Sequence, residues 1–73
     1  MPPKPTPYRE VRRKLLAAGF HEASQKGSHV KFIKITPEYI RTATVPKHRE
    51  VAMGTLKSIL RQAGMEQDVF DDL

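Results

Sequence analysis

The tripeptide Gly27-Ser28-His29 opens a stretch of alternating apolar and polar residues that ends at Ile35. Such alternation is typical of a β-strand with one buried face, and it places His29 and Lys31 together on the other face. A neutral histidine can accept a proton near pH 7, and a nearby lysine can stabilise developing negative charge. The pair could therefore act on an anionic substrate. A lone histidine on a surface strand, however, usually has no chemical task.

The charges are segregated along the 73 residues of the chain. All 13 basic side chains and four of the eight acidic ones precede residue 65, so residues 1–64 carry a net charge of +9 and residues 65–73 carry −4. Such a basic body attracts polyanions, and phosphate contacts alone can support salt-dependent binding of nucleic acid. The same composition is also expected if the charged surface only keeps a small protein soluble.

The short length and the composition narrow the possible classes of protein. A chain of this size buries only about 60% of its unfolded surface, so we expect chemistry on an open surface rather than in a deep metabolite pocket. There are no cysteines, and His21, His29 and His48 lack the spacing of metal ligands. No apolar run approaches the roughly 20 residues of a membrane helix, and no signal peptide is visible. We expect a cytoplasmic protein without membrane association, metal or cofactor.

Two stretches with apolar residues at helical spacing predict helices. Thr6 is a suitable N-cap before Pro7, so the first helix is expected over residues 7–18. The second is expected to have Glu50 in its first turn and to stop at Gly64. Its apolar stripe consists of Ala52, Leu56, Ile59, Leu60 and Ala63.

Three strands are expected between the helices, over residues 20–25, 29–35 and 40–45. Turns are predicted at Lys26-Gly27 and at residues 36–38, and Pro46 should end the third strand. Short turns between consecutive strands favour an antiparallel meander covered by both helices on one face. His29 and Lys31 should then lie on the face left open to water.

Four motifs, AAGF, KGSHVKF, TVPKH and GTLKSILRQAGM, occur in the order and spacing of the HicA toxins. From about Tyr8 to Met65 the chain resembles that family, although many relatives have a glycine where this chain has Lys26. The resemblance implies an α+β fold similar to a double-stranded-RNA-binding domain, α-β-β-β-α, with a three-stranded antiparallel sheet and two helices on one face. It divides the chain into a disordered proline-rich arm (1–6), a HicA-like domain (7–65) and an acidic C-terminal turn or tail (66–73).

The resemblance also implies an activity and two partners. HicA toxins belong to type II toxin–antitoxin systems, cleave mRNA without a metal ion and pair with a HicB-type antitoxin. The family's catalytic histidine corresponds to His29, which would take the proton of a ribose 2′-hydroxyl. Lys31 would stabilise the charge on the phosphorane, and Lys26 and Ser28 would bind the flanking phosphate.

The sequence leaves some alternatives open. His48 could supply a proton to the leaving oxygen or could simply be a residue that leads into the second helix. A non-catalytic RNA-binding module would have the same fold and basic charge, and a purely protein-binding domain would have no affinity for RNA. In the tail, Val69, Phe70 and Leu73 could complete the core, or the acidic residues could fold back over the basic face.

Overall fold

The computed structural model describes residues 4–73, which form five strands and three helices. In chain order these are β1 (Thr6–Pro7), α1 (Tyr8–Ala17), β2 (His21–Lys26), β3 (His29–Ile35), β4 (Ile40–Pro46), β5 (Glu50–Val51), α2 (Met53–Ala63) and α3 (Gln67–Asp71). No helix within this range has the length and apolar character needed to cross a membrane.

The central sheet has the order β2-β3-β4, and both of its strand pairs are antiparallel. The strand predicted over residues 29–35 has those bounds, while β4 extends one residue further than predicted, to Pro46. The weak strand predicted over residues 20–25 is also present, shifted by one residue. The predicted α+β meander with an α-β-β-β-α core is therefore confirmed.

One face of the sheet is covered by helices and contributes to the core. On β3 the core side chains are Val30 and Phe32, which are 1% and 0% exposed, as the alternating pattern predicts. The other core residues are Val11, Leu15, Phe20, Ala43, Val45, Val51, Leu56, Ile59, Leu60, Ala63 and Phe70. The opposite face carries His29 and Lys31, and we call it the open face.

The starts of both main helices differ from the sequence prediction. Thr6 does not cap α1, because it pairs with Val51 in a small two-stranded ladder of β1 and β5. Glu50 belongs to the same ladder, so it lies outside α2, which has no acidic residue in its first turn. The ladder joins segments more than 40 positions apart, and helical periodicity carries no information about such pairing.

The end of α2 agrees with the prediction, since Gly64 adopts the left-handed conformation of a C-cap with φ of 67°. After it, α3 packs against the rest of the fold through Phe70, which is 2% exposed. The ammonium group of Lys14 lies 4.9 Å from the centre of the Phe70 ring and donates to the carbonyls of Phe70 and Asp71, both at 3.1 Å. This arrangement favours a segment that completes the core, although Val69 is exposed.

The predicted division of the chain at residues 6 and 65 stays a prediction. Residues 1–3 of the proposed proline-rich arm lie outside the described residues, and its last residue, Thr6, belongs to β1.

Candidate functional site

The open face presents its side chains in rows, because paired residues of an antiparallel sheet point to the same side. The pair Ile35-Ile40 lies at the far end of this face, and from the β2–β3 turn onward the three-strand rows are Lys26-His29-Pro46, Ser24-Lys31-Thr44 and His21-Ile33-Thr42. None of these residues is acidic. Glu22, the acidic residue of β2, lies on the helix-covered side and pairs with Arg12 of α1. The open face therefore presents polar and basic groups near the turn and isoleucines at its far end, and none of its paired residues carries a carboxylate.

A two-residue turn places His29 at the start of β3. Lys26 pairs with His29 across the turn, and Gly27 has a φ of 59° while no non-glycine residue in the described chain has positive φ. Positive φ at only the first central residue is the pattern of a type II′ hairpin turn, which favours glycine there. The turn is thus one residue later than predicted. Lys26 occupies an ordinary strand position, so it does not disturb the turn.

His29 is solvent-exposed, and so are Lys26, Ser28 and Lys31. Within residues 4–73, none of these four side chains makes a hydrogen bond or ion pair to another group. Lys31 follows His29 by two residues and therefore lies about 6.4–6.8 Å further along the strand on the same face. The structure thus brings together all four residues that the sequence analysis selected, and leaves their polar groups available to a ligand.

Lys47 was not selected from the sequence, but it adjoins this group. Its backbone N–H donates to the carbonyl of Ser28, which extends the pairing of β3 and β4 past Pro46. The side chain of Lys47 is exposed. The motif TVPKH contains it, but only the antiparallel register of β4 against β3 reveals that residue 47 lies beside residue 28.

The other two histidines lie at different distances from His29. His48 is exposed in the segment between β4 and β5, next to Lys47, and residues 49–52 separate it from α2, so it does not lead directly into that helix. His21 pairs with Ile33, two rows away from His29 on the open face. The structure therefore brings His48 into the neighbourhood of the Ser28 turn and leaves His21 at the far end of β2.

Two basic residues of α1 form ion pairs, unlike the lysines of the open face. Arg12 pairs with Glu22, and Arg13 pairs with Glu10 at 2.9 Å and also donates to the carbonyl of Leu73 at 3.3 Å. The hydrogen bond from Arg13 lowers the pKa of Glu10. Part of the positive charge of α1 is thus neutralised by protein carboxylates, in contrast to the open face.

Among the described residues, no three side chains of histidine, cysteine, aspartate or glutamate are grouped so that they could hold a metal ion.

Comparison with known proteins adds one family. Residues 8–65 match the family model described as the HicA toxin of bacterial toxin–antitoxin systems, so the match covers most of the 73 residues. All the residues of the open face and its turn fall within the matched range. Among curated proteins, no sequence matches the chain.

Proposed function

The chain belongs to the HicA family of bacterial toxins, and we propose that it is a metal-independent mRNA endoribonuclease with His29 as its general base. The toxin role follows from the family. The proposal adds the reaction, the substrate and the residue that starts the reaction.

The reaction uses a nucleophile that RNA itself carries. His29 accepts the proton of the 2′-hydroxyl, the 2′-oxygen attacks the adjacent phosphorus, and the bond from phosphorus to the 5′-oxygen breaks. The products are one strand with a 2′,3′-cyclic phosphate and one with a 5′-hydroxyl. Because the sheet face is open, water can supply the proton that the departing 5′-oxygen needs. No step requires a metal ion.

The neighbours of His29 have roles that follow from their positions. Lys31, on the same face of β3, lies where its ammonium group can stabilise the charge on the five-coordinate phosphorus. Lys26, across the turn from His29, and Ser28, inside the turn, can bind the phosphate that flanks the cut.

The observation that carries the proposal is the placement of His29. Its imidazole is exposed at the turn end of a face whose first two rows present cationic and hydroxyl groups and no carboxylate, next to the only two-residue turn of the central sheet within residues 4–73. A polyanion can approach such a face without repulsion.

A nuclease that acted on mRNA would work in the cytoplasm. The toxin–antitoxin pairing implies an inhibitory partner, which we propose to be of the HicB type.

The test is cleavage of a long RNA by the purified chain in the presence of a chelator. We expect wild-type protein to fragment the RNA and His29→Ala to leave it intact, with the same circular dichroism spectrum for both. The fragments should carry 2′,3′-cyclic phosphate or 3′-phosphate ends. His21→Ala serves as the matched control, since it removes an exposed histidine from the other end of the same face.

Two outcomes would contradict the proposal. Cleavage at a site that carries 2′-deoxyribose would exclude the 2′-hydroxyl as the nucleophile. RNA that binds tightly but survives wild-type protein would instead indicate a non-catalytic RNA-binding module.

A further inference from the structure

A concave pocket of about 480 Å³ lies between the first turn of α1 and the segment that joins β4 to β5. Tyr8 and Arg9 line one side, and Lys47, His48 and Arg49 line the other; we call this the basic pocket. The backbone N–H of Tyr8 donates to the carbonyl of Arg49 at 3.2 Å, and the β1–β5 ladder adjoins this bond. The two walls are therefore fixed to each other. The volume is within the range of about 300–1,000 Å³ found for clefts that bind small organic groups.

The lining of the basic pocket is strongly positive. Arg9, Lys47 and Arg49 are all exposed, against a single lining carboxylate, that of Glu50. In the part of the chain that the structure describes, none of the three cations has a carboxylate within 4.0 Å, whereas Arg12 and Arg13 on the same helix are both paired. Three cationic groups around one cleft, none of them paired with a carboxylate, favour binding of a phosphate.

Tyr8 gives the pocket a second chemical character. Its ring is partly buried against the core, so its position is fixed by packing. Like any tyrosine with a pKa near or above 10, Tyr8 is protonated and neutral near pH 7. Burial, together with the charge of Glu22, raises the pKa of its phenol further. A fixed, neutral aromatic ring beside cations is the combination that binds single-stranded nucleic acid, because bases stack on the ring while phosphates contact the cations.

The basic pocket adjoins the row that contains His29. The hydrogen bond from the N–H of Lys47 to the carbonyl of Ser28 connects the pocket wall directly to the hairpin turn. A strand of RNA with its scissile phosphate at His29 can therefore continue past Lys47 into the pocket without leaving the protein surface.

We propose that the basic pocket binds a nucleotide that flanks the cut site in single-stranded RNA. Its phosphate lies against Lys47 and Arg49, and its base lies against the ring of Tyr8. The inference rests on the proposed function for the identity of the ligand, and it extends the substrate contacts beyond the open face.

The test measures binding separately from cleavage. In a His29→Ala background, fluorescence anisotropy with labelled single-stranded RNA of about ten nucleotides and mixed sequence gives affinity between about 50 and 200 mM salt. We expect Arg49→Ala to weaken binding roughly fivefold at low salt and to reduce the salt slope by about one. The control is Arg61→Ala, which removes an exposed arginine in the last turn of α2, outside the basic pocket.

The aromatic contribution needs its own pair of variants. Tyr8→Phe keeps the ring and should keep the affinity, while Tyr8→Leu should lose about fivefold or more with an unchanged salt slope. Circular dichroism checks that both variants are folded. If Tyr8→Leu does not fold, the comparison of Arg49→Ala with Arg61→Ala decides, because both of those side chains are exposed.

The inference is overturned if Arg49→Ala and Arg61→Ala weaken binding equally, or if the His29→Ala chain binds no RNA. The inference is also overturned if Arg49→Ala and Tyr8→Leu bind RNA with full affinity but no longer bind an acidic protein partner.

A failure of the proposed function would look different. With His29 intact, Arg49→Ala should raise KM and leave kcat nearly unchanged, since it removes binding rather than chemistry. If wild-type protein does not cut RNA, the nuclease proposal fails while the anisotropy experiment still decides the basic pocket.

Discussion

The two faces of the central sheet differ in almost every physical property, although the same three strands form both. On the covered side of β3, Val30 and Phe32 are at most 1% exposed. On the open side, His29 and Lys31 face water without a carboxylate in their rows. The period of two in a β-strand makes this division possible within seven residues. One face packs into the core, and the other is free to carry polar groups that face water.

The largest expected effect is on the covered face. Phe32→Ala removes a fully buried ring at the centre of a thin core, and we expect a loss of about 3–5 kcal/mol in the free energy of unfolding. A domain of this size has a total stability of only about 4–11 kcal/mol, so Phe32→Leu provides a milder variant. Urea unfolding followed by circular dichroism measures both. Ile33→Ala, the next residue on the open side, should cost about 1 kcal/mol or less; equal losses for residues 32 and 33 would contradict the difference between the faces.

An intermediate effect is expected on the open face, in activity rather than in stability. Lys31→Ala should lower the rate of RNA cleavage roughly tenfold, because it removes a cation beside the reacting phosphate. Its stability should stay within about 0.5 kcal/mol of wild type, since the side chain is exposed. Lys57→Ala, which removes an exposed lysine from α2, is the control. If residues 31 and 57 affect cleavage equally, overall charge rather than position on the open face determines the rate.

The smallest effect concerns the ion pair of Glu10 and Arg13 on α1. The pKa of Glu10 is lowered by its hydrogen bond from Arg13, so the pair stabilises the fold at pH values above the ordinary glutamate pKa of about 4.5. That stabilisation is lost as pH falls through the lowered pKa. Thermal unfolding from pH 3 to pH 7 should show Glu10→Gln slightly less stable than wild type at neutral pH, with a difference that narrows as the pH falls. A difference of the same size at every pH in this range would assign the effect to packing rather than to charge.

The parts of the fold that could be predicted from the sequence depend on local patterns. The alternation from His29 to Ile35 gives the bounds of β3, and it also assigns each side chain to a face. Gly64 ends α2 as expected, because a left-handed residue at a helix end has a recognisable sequence preference. The same alternation places His29 and Lys31 on one face, but it was the resemblance to the HicA toxins that made His29 the expected catalytic residue, and Lys26 and Ser28 were selected because they lie next to it in the chain.

The features that could not be predicted depend on contacts between distant segments. The β1–β5 ladder pairs Thr6 with Val51, which removes the expected N-cap of α1 and delays the start of α2. The contact of Lys47 with Ser28 depends on the register between two strands and on the backbone continuing beyond Pro46. In the same way, the N–H of Thr44 on edge strand β4 donates to the side chain of Gln62 on α2 at 3.0 Å. Neither the alternation in β4 nor the helical spacing in α2 predicts this contact.

The sequence by itself therefore determined the strand that carries His29, the side of that strand on which the imidazole lies, and the basic character of its surroundings, because residue spacing along a strand and net charge are properties of the chain. Only the tertiary structure decided that Tyr8, Lys47 and Arg49 form a pocket next to the Ser28 turn. Residues about 40 positions apart meet there through backbone pairing, and such pairing is selected by the packing of the whole domain.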